Sequence, residues 1–160
     1  MITDKNITKA LRQLEYGVYV VTMGHGTEGN AFTASWVSQI SSEPPMIALS
    51  VHNKHQSSRL INNAGSFVVH LISSTHAEFA KIYYGPAESG YDKLKNADIA
   101  NAPITGSPLL KGAAGYLECR IVNSVAAGNH TLYVAEVVAA GLDDDGPKLT
   151  TSNSKLHYLG

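Results

Sequence analysis

Cysteine is almost missing from this sequence. Cys119 stands alone, which excludes an internal disulfide framework and a cysteine-based zinc site. Charge is also thin: twelve Lys and Arg against thirteen Asp and Glu leave a net charge of −1. With no surplus of cations to neutralise a phosphate backbone, nucleic-acid binding has little electrostatic support. No apolar run approaches the ~18–20 residues of a membrane span. The opening Met1-Ile2-Thr3-Asp4-Lys5-Asn6 carries charges where a secretory signal needs an apolar stretch. Low-complexity tracts, repeats and linkers are absent too. These absences predict one soluble, cytoplasmic domain over residues 1–160, with an apolar share of 44% that is enough for one core.

What is present reads mainly as strands. Ile7, Ala10, Leu11 and Leu14 fall at helical spacing behind Asn6 as N-cap, with Gly17 at the exit. Val18–Thr22, Ala31–Ser41, Met46–Val51, Phe67–Ile72, Gly115–Val125 and Thr131–Leu142 have strand character. Pro44-Pro45 ends the second of these, because paired prolines cannot continue a hydrogen-bonded ladder. Ser57 or Ser58 is expected to cap a short helix reaching Asn63 and closing near Gly65. Thr75-His76-Ala77-Glu78 matches a capping box for another, ending near Gly85. Asp143–Lys148 reads as a turn, and the last dozen residues as a short extended segment. About six strands and two to four short helices predict a mainly β chain, closed or half-open as a barrel.

Gly24-His25-Gly26-Thr27-Glu28-Gly29 fits G-x-G-x-x-G letter for letter. A dinucleotide fingerprint needs a helix to open at the third glycine, so that its amides meet the pyrophosphate. The following Asn30–Val37 run has β-branched, aromatic and hydroxyl residues and no helical apolar stripe. The expectation is a hairpin loop that uses glycine for positive φ.

Two segments could hold a ligand. In Ser50–Arg59, a strand passes through a turn into a helix start, where unpaired N–H groups and a partial positive charge favour phosphate. Lys54 adds a mobile cation there and Arg59 a planar one. The plainer account has Ser57 capping its helix, with both cations solvated. In Asn30–Ser41, Thr33, Ser35 and Ser38 alternate with Phe32 and Trp36, which suits the polar edge and flat face of a heterocycle. An ordinary half-polar strand would look the same. His52 and His55 flank a turn with no third metal ligand in view, and no G-x-S-x-G elbow exists. Cys119, on the side shared with Leu117 and Ile121, reads as a buried, inert thiol. Gly128-Asn129-His130 is a compact turn whose histidine either faces a pocket or ends a strand in solvent.

Taken in order, these segments resemble the flavin reductase-like family of FMN-binding split β-barrels. The likeness runs from about Ala10 to Leu159. It is carried by Tyr16–Thr22, Thr33–Val37, Glu43-Pro44-Pro45, the Ser50–Ser57 turn, Leu117–Val122 and Gly128–Val134. The resemblance implies an NAD(P)H:flavin oxidoreductase, with hydride passing from the nicotinamide to flavin N5. It implies FMN, or FAD, on Thr33, Ala34, Ser35 and Trp36 at the ring edge. Ser50, Val51 and His52 would lie along the ribityl chain and Lys54 and Ser57 at the phosphate, with Phe79 and Lys81 near the flavin. Gly128, Asn129 and His130 match the family's Gly-Asp-His motif, which implies nicotinamide placement with His130 as the acting side chain. Asn129 removes that motif's negative charge. A homodimer is implied, with an oxygenase or electron-transfer protein as partner. A flavoredoxin-like electron carrier and a non-catalytic flavin-binding module are the alternatives.

Overall fold

A computed structural model describes residues 4–85 and 93–156. Its main sheet uses β1 (Tyr19–Met23), β2 (Asn30–Ala34), β3 (Val37–Ser42), β4 (Pro45–His52), β5 (Ser66–Leu71), β8 (Gly115–Ala127) and β9 (His130–Leu142). The order is β2-β1-β5-β8-β9-β4-β3, every neighbouring pair antiparallel. The two edge strands, β2 and β3, are consecutive in the chain and joined only by Ser35-Trp36. The sheet therefore curls until its edges are tied by a two-residue link. What results is a barrel with a seam, as a mainly β reading requires.

Strand alternation sends one set of side chains inward. Val21, Met23, Leu49, Val51, Phe67, Val69 and Tyr133 fill the barrel, all essentially inaccessible. Helix α2 (Gln56–Ala64) adds Ile61 to this core and ends at Gly65, whose φ of 67° suits glycine. The Ser58 hydroxyl lies 2.9 Å from that of Tyr133, which also donates to the Ser58 carbonyl at 3.1 Å. These bonds fix the start of α2 against the barrel interior.

The outer face of β1, β5 and β8 is covered by the excursion that follows α3 (Ala77–Ile82). It carries a small hairpin of β6 (Ile99–Asn101) and β7 (Pro108–Leu110). Val18, Val20, Ile72, Leu94, Leu110 and Leu149 make a second core there. Buried polar groups from the sheet grip the excursion's backbone. Thr22 donates to the Pro108 carbonyl, and the Leu110 amide donates to His70 Nε2 at 2.9 Å. The Ile104 amide, at 2.8 Å, and the Thr105 amide both donate to Glu118 Oε1, and the Ser66 and Ser107 hydroxyls are 3.3 Å apart.

Several local expectations change. Asp4, not Asn6, caps α1 (Lys5–Leu11), which ends well before Gly17, and its Ile7 and Leu11 are exposed. Ser57 lies inside α2 and receives a bond from Asn30 instead of capping. Thr75 bonds with Ser73, and His76 precedes α3 without a side-chain cap, so no capping box forms there. A capping box does form where an extended tail was expected: Thr150 and Asn153 close α4 (Thr151–Ser154). The described residues hold nine strands, not six, because 3-residue strands such as β6 and β7 leave too short a pattern to read. The G-x-G-x-x-G stretch is the β1–β2 hairpin loop, with one 3-10 turn at Gly26–Glu28 and no helix after it.

Candidate functional site

The seam leaves a cleft of about 620 Å³. β2 and the link contribute Asn30, Phe32, Thr33, Ala34, Ser35 and Trp36. β4 gives Ser50 and Val51, and the turn into α2 gives Lys54, His55, Gln56 and Ser57. Tyr83, Tyr84 and Gly85 follow α3, and Lys93 completes the lining. The position follows from the ladder: β2 pairs with β1 only as far as Ala34, and β3 takes up pairing with β4 at Val37. At Ser35 and Trp36 the regular ladder lapses beside the opening; their carbonyls accept instead from the Val37 and Ser50 amides, each at 3.0 Å, and the Ser35 side chain lies at the cleft. Ser35 is buried and lines the cleft.

Eight of the expected residues share this cleft: Thr33, Ala34, Ser35, Trp36, Ser50, Val51, Lys54 and Ser57. Thr33 and Ser57 also hold hydroxyl bonds within the chain. The Thr33 hydroxyl donates to the Ala80 carbonyl at 2.5 Å, and its amide donates to Tyr83 at 3.2 Å, so Thr33 fastens the end of α3 to β2. Ser57 accepts from Asn30 at 3.1 Å, leaving its hydroxyl proton for a ligand. Phe79 and Lys81 are not among the lining. The Phe79 ring packs with Tyr83 and the second core, and Lys81 pairs with Glu78 at 2.7 Å on the surface. Arg59 also lies outside it, exposed on α2.

His52, Gly128, Asn129 and His130 stand next to the cleft rather than on its wall. The His130 ring centroid is 4.8 Å from that of Trp36, which does line it, and 5.0 Å from that of His52. His130 Nδ1 donates to Asn129 Oδ1 at 2.6 Å, and the Lys54 amide donates to His52 Nδ1 at 3.1 Å. Burial first, then the nearby His52 and His55, hold the His130 pKa below the usual imidazole range. His55 is lowered likewise, by burial, His52 and Lys93. The three imidazoles are close, yet no metal-competent group of His, Cys, Asp or Glu forms among the described residues. Cys119 is fully buried; burial, and then Glu118, push its thiol up to about 12, which makes it inert.

The sequence left Tyr83, Tyr84, Gly85 and Lys93 unread. The available signal was a tyrosine pair running into Gly85-Pro86 directly after a helix. The distance in sequence from there to β2 conceals that they face one another.

The residues bear the marks of a site for a flat anionic ligand: Phe32, Trp36, Tyr83 and Tyr84 with two lysines and no carboxylate among the described lining. Residues 11–160 match the flavin reductase like domain. An NADH-dependent flavin reductase of a Rhodococcus species is 28% identical over 99% of this chain and 90% of its own. The reductase component of a Rhodococcus opacus 4-nitrophenol monooxygenase is 31% identical over 82% of this chain and 68% of its own. The solved NADH:FAD oxidoreductase of Streptomyces globisporus superposes with a TM-score of 0.83 at 25% identity, covering 96% of this chain and 94% of that one. This chain, a seven-stranded barrel with its cleft at the seam, belongs to the flavin reductase-like family.

Proposed function

We propose that the chain is an NAD(P)H-dependent flavin reductase taking FMN in the seam cleft. One observation carries the reading: a cationic end beside α2, with no acid among its described lining, and an interrupted strand edge open into the same space. Lys54 and the start of α2 would hold the phosphate, since amides and an ammonium both favour an anion there. Ser50 and Val51 would follow the ribityl chain, and Ala34, Ser35 and Trp36 the ring edge.

The flavin, when bound, supplies the redox chemistry, accepting a hydride from the nicotinamide at N5. The chain's own work is placement. Main-chain and hydroxyl groups near Ser35 would stabilise negative charge at the polar edge of the ring. The Trp36 ring, backed by His130, would limit where a second flat ligand can lie. The Asn129 contact would orient the imidazole, with Nδ1 donating to the amide oxygen, and burial favours its neutral form.

Anaerobic mixing of the flavin-loaded protein with NADH or NADPH tests the function. Bleaching of the flavin band at about 1–10³ turnovers per second is expected. Asn129, where the family's motif has an acid, favours a second reading as an electron carrier. Slow bleaching by nicotinamides with prompt reduction by dithionite would select it, and a site that never cycles would be a binding module. A nicotinamide reductant would suit a cytoplasmic location, and the likeness to a monooxygenase component supports an oxygenase as recipient of reduced flavin.

The reading includes a homodimer. Apolar side chains stand uncovered on α1 (Ile7, Leu11), on β3 (Ile40) and on the outer half of β8 (Val122, Val125), a pattern that suits a symmetric partner. Light scattering should give twice the 17.0 kDa chain mass; a value near 17.0 kDa at micromolar concentration would refute it.

A further inference from the structure

We propose that Lys93 is a second phosphate-binding cation, meeting the dianionic monoester end of FMN from a different wall of the cleft than Lys54. The proposal rests on the flavin reading above and assigns a role that the sequence patterns leave blank.

Lys93 Nζ donates to the Tyr83 carbonyl at 3.1 Å and to the Gly85 carbonyl at 2.7 Å. An ammonium has three protons, so one remains. Carbonyl dipoles solvate a cation but do not neutralise it, and Lys93 has no carboxylate partner among the described residues. Burial lowers its pKa, as expected for a half-buried charge. Its charge also reaches His55, the residue just before α2, and helps to depress that imidazole. Lys93, Lys54, His55 and Ser57 all line the one cleft.

A chain of net charge −1 has gathered two lysines and a histidine around a lining with no described acid. A tie between Lys93 and two carbonyls would need only a neutral donor. What demands a cation is an anion, and a phosphomonoester carries close to two negative charges at pH 7. Two ammonium groups on separate walls match that dianion. They would select FMN over riboflavin, which has the same ring and ribityl chain without the phosphate.

The test compares the affinities of FMN and riboflavin for the flavin-stripped full chain, by quenching of flavin fluorescence, in wild type, K93M and K93Q. K93Q keeps a donor for the two carbonyls and guards against simple loss of the wall. The expected result is FMN binding weakened about 10–100-fold in both variants, as for one charge-assisted bond, with riboflavin unchanged within about twofold. The salt dependence of FMN affinity should shrink as well. Equal losses for FMN and riboflavin would make Lys93 a structural tie and overturn the proposal, as would unchanged FMN affinity. Failure of wild type to bind either flavin would instead sink the flavin reading itself, and the proposal with it.

Discussion

Acidification from pH 7 to 4 is expected to remove about 3 kcal/mol of stability through His70 alone. His70 is fully buried on β5 between β1 and the excursion. Its Nδ1 donates to the Val20 carbonyl at 3.0 Å and its Nε2 accepts from the Leu110 amide at 2.9 Å. Both ring nitrogens are satisfied only in the neutral form with the proton on Nδ1. A second proton would break the bond to Leu110 and leave a charge in an apolar layer. Burial therefore lowers the pKa from 6.5 to about 4, against a smaller opposing effect of the Val20 bond. The unfolded chain takes up the proton first, so this contribution is intact above pH 6.5, falls as pH drops, and is exhausted below about 4. Urea unfolding of wild type and H70L at pH 7, 5.5 and 4 isolates it from the carboxylates. H70L should be less stable at pH 7, because a carbonyl and an amide lose their partners, but its stability should fall less with acid. Parallel pH profiles for the two proteins would refute this account.

His70 also marks where sequence reading stops. The strand through residues 67–72 was visible because Phe67, Val68, Val69, Leu71 and Ile72 are apolar or β-branched. A histidine among them gives no hint of its partner, since Leu110 lies 40 positions on, in a 3-residue strand. The long strands β8 and β9, the glycine loop after β1 and the turn into α2 were legible because each has many residues agreeing on one local conformation. Eight cleft residues were legible for the same reason: they sit on two continuous segments, 33–36 and 50–57. Tyr83, Tyr84, Gly85 and Lys93 were not, because tertiary folding alone brings them to β2. Helix caps were the least legible feature. Ser57 and Thr75 had the right chemistry for caps, yet bonds to Asn30 and Ser73 claimed them. Alternation holds within β8: Leu117, Cys119 and Ile121 face the barrel, while Glu118 on the opposite face is buried under the excursion, a cover that the strand pattern alone does not reveal.

That buried position under the excursion makes Glu118 the residue with the next largest expected effect. E118A should destabilise the chain by about 3 kcal/mol, because two amides that now share one charged acceptor would lose it. Some of this is offset, since Glu118 Oε2 is buried with no hydrogen-bond partner and its removal relieves that cost. The loss should be local before it is global. Residues 104–110 should exchange their amide hydrogens faster, while the barrel interior stays closed. Cys119 reports on that interior. Its thiol packs among the barrel side chains, so a thiol reagent reaches it only when the barrel opens. Removing the neighbouring charge should lower the Cys119 pKa only modestly, because burial is the larger cause. In E118A, then, labelling of Cys119 should remain slow in conditions where exchange at 104–110 is already fast. Lys93 belongs to the same excursion, so loosening it should also weaken FMN binding, and riboflavin binding with it, unlike the selective loss expected of K93Q. Unchanged stability with unchanged exchange would mean that the Glu118 bonds do not hold the excursion. Prompt labelling of Cys119 would mean that excursion and barrel open as one unit.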